Sequence, residues 1–112
     1  MSAIYRFYEN SSSSRLHIPV KTLRALFPNE DIKYVYLQFA VADGKKGLFL
    51  SKSNGEKVRF RLRKGKNSSL ITIPISIAKA LGWQNRDQIN LIFTTYNDKK
   101  GLFLHREQPI KE

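Results

Sequence analysis

The chain repeats itself. Ser13-Ser14-Arg15-Leu16-His17-Ile18-Pro19 aligns with Ser68-Ser69-Leu70-Ile71-Thr72-Ile73-Pro74, and Ala25-Leu26 with Ala80-Leu81, at an offset of 55. Lys45-Lys46-Gly47-Leu48-Phe49-Leu50 then recurs intact as Lys99-Lys100-Gly101-Leu102-Phe103-Leu104 at an offset of 54. Two units are too few for a solenoid, which needs about three to bury its faces. A tandem pair instead predicts a fused dimer: one domain over residues 1–112, with repeat one at 1–53, repeat two at 54–112 and a pseudo-two-fold axis between them. Each half would be marginal alone, and Ser51-Lys52-Ser53-Asn54-Gly55-Glu56 between them reads as a turn, not a linker.

Each copy reads as strand, polar loop, strand, short helix, strand, turn, strand. Lys57-Val58-Arg59-Phe60-Arg61-Leu62-Arg63 alternates strictly, with Val58, Phe60 and Leu62 on one face. Ala3, Tyr5 and Phe7 keep the same parity in the first copy. Short strands at Arg15 to Ile18 and Leu70 to Ile73 run into prolines, which suit a first helical position because their missing N–H would be unpaired there. Helices are predicted over Pro19 to Phe27 and Pro74 to Leu81; Pro28 stops the first, and Gly82 can end the second in a left-handed conformation. Val35, Leu37, Phe39 and Val41, and then Ile89, Leu91, Phe93 and Thr95, alternate again. Asp43-Gly44 and Asn97-Asp98 supply hairpin turns before the closing strands. The fold class is mainly β with two short helices. Neither half has enough neighbouring strands for a closed core, so the halves should interleave.

Charge is the strong bulk signal: 20 basic against 9 acidic residues, net +11. Such a surplus attracts polyanions. Residues 1–53 carry 8 basic and 4 acidic residues, and residues 54–112 carry 12 and 5, so the second copy is the more basic. With no cysteine, a disulfide frame and a thiolate metal site are excluded. No apolar run is long enough to span a membrane, and Met1 to Arg6 has no signal-peptide pattern, so a soluble, cytoplasmic protein is expected. His17 and His105 stand alone, no Gly-rich phosphate loop appears and the carboxylates are scattered. No enzyme activity, metal or cofactor is expected.

The second copy's Ser69-Leu70-Ile71-Thr72-Ile73-Pro74, then Ala78-Lys79-Ala80-Leu81-Gly82-Trp83, then Asp87-Gln88-Ile89-Asn90-Leu91, resembles the AbrB-like (AbrB/MazE/SpoVT) DNA-binding domain. The first copy keeps Arg15-Leu16-His17-Ile18-Pro19 and Leu23-Arg24-Ala25-Leu26, but has Leu26-Phe27-Pro28 where that pattern has Leu-Gly. The resemblance implies a swapped-hairpin β-barrel, here formed as an intrachain pseudo-dimer, as in tandem MraZ-like members. It implies binding of double-stranded DNA through basic residues on the first strand, its loop and the helix. The family's basic positions fall on Tyr8 and Arg63, on Arg15 and Leu70, and on Leu23 with Arg24 and Ala78 with Lys79. Departures at Tyr8, Leu70, Leu23 and Ala78 predict a DNA face without strict two-fold symmetry.

The run Lys57, Arg59, Arg61, Arg63, Lys64, Lys66 is the sharpest candidate. Alternation puts Arg59, Arg61 and Arg63 on one strand face about 6.5–7 Å apart, near the spacing of successive phosphates. The bland alternative is a charged edge strand that blocks aggregation; one lysine would suffice for that. The expected DNA-binding set is Arg6, Arg15, Lys21, Arg24, Arg59, Arg61, Arg63, Lys64, Lys66 and Lys79. Lys21, Arg24 and Lys79 read equally well as solvated helix surface, and the turn lysines Lys45, Lys46, Lys99 and Lys100 better as solubilising residues. The serines Ser11 to Ser14, with Asn67-Ser68-Ser69 as their partner, form a flexible loop or a phosphate clasp. Tyr34 and Tyr36 could stack on bases or pair across the sheet, and Trp83 reads as a core or interface anchor.

These residues predict a DNA-binding transcription regulator associated with DNA or the nucleoid. A nonspecific chromatin-like protein is the first alternative. An antitoxin holding a protein toxin is the second, disfavoured because only about seven residues follow the last strand. Further homo-dimerisation of the pseudo-dimer stays open.

Overall fold

The computed structural model describes residues 2–7, 12–28, 32–53, 55 and 59–107. In chain order these form β1 (Ser2–Phe7), β2 (Ser13–Pro19), α1 (Val20–Leu26), β3 (Tyr34–Ala42), β4 (Lys45–Lys52), β5 (Phe60–Lys64), β6 (Ser68–Pro74), α2 (Ile75–Ala80), β7 (Gln88–Tyr96) and β8 (Lys99–Arg106). The eight strands close into one antiparallel barrel in the order β1-β2-β6-β5-β3-β4-β8-β7. Neither copy closes a barrel alone. β1 of the first copy pairs with β7 of the second, and β5 of the second with β3 of the first. Every strand thereby has two neighbours, which leaves no open edge to be protected.

The register is two-fold symmetric. Leu16 opposes Ile71, its counterpart at an offset of 55, and Phe49 opposes Phe103, its counterpart at 54. A residue meets its own counterpart only at a two-fold axis, so a pseudo-axis passes through these two pairs on opposite sides of the barrel. One part of the sequence alignment is corrected here. Tyr5 opposes Leu16 while Leu62 opposes Ile71; Ala3 opposes Ile89 while Phe60 opposes Val35. The first strands are therefore equivalent at an offset of 57, and Arg6, not Tyr8, is the counterpart of Arg63. Tyr8 itself lies outside the described residues, as do Ser11, Lys57 and Val58. The loop after the first strand is two residues shorter in the second copy. A strand slipped by two residues keeps its inside and outside parity, so alternation alone could not reveal the shift.

Pro19 and Pro74 each end a strand and cap a helix, with φ −56° and ψ 138° at Pro19 and φ −57° and ψ 137° at Pro74. They sit one position earlier than expected: an extended ψ is compatible with a cap and not with a first helical residue. The helix starts are tied across the copies. Val20 N–H donates to the Asn67 carbonyl at 3.2 Å, and Ile75 N–H donates to the Ser12 carbonyl at 3.4 Å. At the far end of α2, Gly82 (φ 75°) allows its own N–H to reach the Lys79 carbonyl and the Trp83 N–H to reach that of Ala78. This termination plants Trp83, almost fully buried, edge-on against Tyr5 with ring centroids 5.4 Å apart. α1 ends without it: Phe27 leaves the helix at φ −125°, and Pro28, the counterpart of Trp83, is exposed.

The barrel interior holds Tyr5, Leu16, Ile18, Val35, Leu48, Leu50, Ile71, Ile73, Ile89, Leu102 and Leu104, all at 1% exposure or less. Tyr5 lies within hydrogen-bond reach of Ser14, whose hydroxyl donates to the Ile73 carbonyl at 2.8 Å. A second cluster of Ala40, Phe49 and Phe103, with Tyr96 against it, occupies the other face of the β3-β4-β8-β7 strands. It accounts for the intact Gly-Leu-Phe-Leu repeat. A Cβ at Gly101 would collide with the Leu50 carbonyl and the Phe49 ring, and one at Gly47 with the Leu104 carbonyl and the Phe103 ring. Each phenylalanine lies over the other copy's glycine. Phe39, Val41, Phe93 and Thr95 continue the alternation of the buried Val35, Leu37, Ile89 and Leu91, yet are exposed. Their hairpins continue past the barrel rim, turning at Asp43-Gly44 and Asn97-Asp98, where all four residues have positive φ.

Candidate nucleic-acid interface

On β1, β2 and β6 the inward residues are apolar or hydroxyl-bearing, and on β5 Phe60 and Leu62 turn inward with Lys64 sharing their parity at the strand's end, so parity fixes which side chains face out. Arg6 opposes Arg15, and Arg15 opposes Thr72, making a row across three strands. Arg61 extends it on β5, one residue before the Leu62 that opposes Ile71. A second row, Ile4–His17–Leu70–Arg63, runs beside the first at a separation of about 6.5–7 Å. The pseudo-axis maps one row onto the other, yet the first carries three arginines and the second one. Arg6, Arg15, Arg61 and Arg63 are all exposed. None of the four strands contains an Asp or Glu. Like charges placed directly opposite on neighbouring strands destabilise a sheet. Arg6 and Arg15 thus bring like charges together on strands that offer no carboxylate.

The other expected contacts separate into groups. Arg24 on α1, Lys64 at the end of β5 and Lys66 in the following loop are exposed and rim one cleft. Lys21 and Lys79 are exposed on α1 and α2. Arg59 precedes β5, and its guanidinium lies 4.4 Å from the centre of the Tyr34 ring. Tyr36 has the Lys99 ammonium 5.7 Å from its ring centre. Both tyrosines thus serve as cation platforms within the protein. Ser14 and Ser69 are buried, which removes them from a phosphate clasp.

Arg86 escaped the sequence reading. It is exposed, holds a left-handed backbone (φ 71°) and donates its N–H to the Tyr5 carbonyl at 2.8 Å, next to Arg6 in the chain. Such a conformation is uncommon for a long side chain. The Asp87 carboxylate holds the turn by accepting from Gln84 N–H at 2.6 Å and pairing with Arg106 Nε at 2.8 Å. A single arginine between Asn85 and Asp87 carries no sequence signal for this. Burial raises the Tyr5 hydroxyl pKa above its ordinary value; Ser14 opposes the shift, and the Asp87 charge adds to it.

Among the described residues no group of three or more His, Asp or Glu is arranged to hold a metal, and no helix is long and apolar enough to cross a membrane. Comparison with known families, curated proteins and solved structures finds no match for this chain.

Proposed function

We propose that this protein is a transcription regulator that binds double-stranded DNA, an AbrB-like domain folded as an intrachain pseudo-dimer with exchanged hairpins. The observation that carries the reading is the outer face of β1, β2, β6 and β5, strands without an Asp or Glu, on which Arg6 opposes Arg15, with Arg61 and Arg63 alongside. Its repulsion is relieved by a partner that brings closely spaced anions, and a phosphate backbone does so at the spacing of the two rows. Arg86, Lys64 and Lys66 widen the contact, while Lys21, Arg24 and Lys79 lie at its margins. The excess of arginine in one row over the other suits a duplex engaged unequally by the two copies. Such a protein works in the cytoplasm on the nucleoid.

A salt titration of duplex binding tests this. Engagement of about six phosphates gives a slope of log affinity against log salt near −5, and Arg61→Ala with Arg63→Ala flattens it by about 2. A wild-type slope near zero overturns the reading. Competition between selected and random duplexes then separates a regulator from a chromatin-like protein that uses the same face.

A further inference from the structure

A cleft of about 190 Å³ opens between α1, the end of β5 and the loop that follows it. Val20, Leu23, Phe27, Ile32 and Leu62 form its apolar walls, and Arg24, Lys64 and Lys66 stand around it. Leu23, Phe27, Ile32 and Leu62 keep 5–8% exposure, whereas Leu16 and Ile18 deeper in the barrel keep none. The helix ends differ: α2 is finished by the buried ring of Trp83, α1, which borders the cleft, by the exposed Pro28.

The two halves of this lining ask for different things. A phosphodiester satisfies Arg24 and Lys66 and leaves Val20, with the edges of Leu23, Phe27, Ile32 and Leu62, against water. Water fills an apolar cleft poorly, because it needs two to four polar partners. A neutral hydrocarbon satisfies the walls and ignores the cations. The volume exceeds the roughly 150 Å³ that admits a benzene ring in an apolar protein cavity, and it falls below the usual range of about 300–1,000 Å³ for drug-sized ligands. One ring or a chain of six to eight carbons fills it.

From this we infer that the cleft binds a small apolar monocarboxylate, its ring or chain against Leu23, Ile32 and Leu62 and its carboxylate at Arg24 and Lys66. The occupied cleft would also withdraw two cations from DNA, a consequence that rests on the DNA-binding reading; the binding itself does not. An anionic metabolite of this size would then act as an inducer.

The probe is phenylacetate, with phenylacetamide as its neutral isostere, followed by methyl NMR on the full chain. Phenylacetate is expected to shift the methyl signals of Val20, Leu23, Ile32 and Leu62 saturably, with a Kd of about 1 mM or tighter. Phenylacetamide is expected to bind at least about fivefold more weakly. Arg24→Ala with Lys66→Ala, both exposed and harmless to the core, should erase that preference, and Val20→Trp should abolish binding of both. No saturable shift at these methyls up to about 10 mM, or equal affinity for the amide in the wild type, overturns the proposal. Duplex binding is measured with and without phenylacetate as a separate arm. A protein that binds no duplex sinks the DNA reading and leaves the methyl shifts to decide the cleft.

Discussion

The pseudo-axis leaves the barrel at two places, and they have fared differently. At the β4–β8 side, Gly47, Leu48, Phe49 and Leu50 match Gly101, Leu102, Phe103 and Leu104 without exception. At the β2–β6 side, the inward Leu16 and Ile71 are both large and aliphatic, but the outward Arg15 and His17 correspond in the second copy to Leu70 and Thr72, and Arg15 opposes Thr72 while His17 opposes Leu70. The difference lies in how many faces are packed. Around β4 and β8 both faces are buried, with Leu48 and Leu50 in the main core and Phe49 in the second cluster. Phe49 opposes its own counterpart Phe103 and lies over Gly101, while Leu48 and Leu50 oppose Leu104 and Leu102 of the other copy, so a change in one copy disturbs both. Around β2 and β6 the outer face meets solvent, and the two copies are free to differ. That freedom is what a face for an asymmetric partner requires.

The comparison can be broken most sharply at Phe49. Phe49→Ala should cost about 3–5 kcal/mol by urea denaturation, against less than about 1 kcal/mol for Leu70→Ala at the other side. Equal losses would end the contrast. Gly101→Ala should cost roughly 2–4 kcal/mol, because the added methyl meets a carbonyl and an aromatic ring. A variant that melts like the wild type would show that the strands can part there without loss.

Tyr5 sharpens the comparison in another way, since its counterpart is Leu62 and only one copy carries the hydroxyl. Its raised pKa, from burial first, means that the folded state holds the proton more tightly than the unfolded one. The stabilisation is therefore complete below the unfolded value near 10 and is lost as pH rises through the folded value. Denaturation between about pH 9 and 12 should show a steeper fall for the wild type than for Tyr5→Phe. The smallest effect is expected at the basic row. Arg15→Thr should leave stability unchanged or raise it by about 0.2–0.5 kcal/mol, since it relieves the repulsion with Arg6. A loss above 1 kcal/mol would mean that Arg15 has a structural role on that face.

Much of this was legible in the residues. The repeat announced two equivalent units, and the alternation of Leu16, Ile18, Ile71 and Ile73 fixed which sides turn inward. Asp43-Gly44 and Asn97-Asp98 marked the hairpins, and Gly82 the end of α2. The true partner of Arg63 was not legible, because a two-residue slip preserves strand parity while moving every cross-strand neighbour. Nor was the exposure of Phe39, Val41 and Phe93, since alternation continues along a strand whether or not the barrel still lies beneath it. Nor was the placement of Arg59, from the expected stripe of Arg59, Arg61 and Arg63, against the ring of Tyr34, a residue on another strand.

Local periodicity and composition set the number of units, the type of each element, the faces the strands bury and the excess of positive charge. Which strands neighbour which, where the axis runs, that Arg6 meets Arg15, and that cations stand around an apolar cleft beside α1 emerge on folding alone. Those depend on pairings between residues dozens of positions apart, and the energy that selects them resides in the closed barrel, in no single segment of the chain.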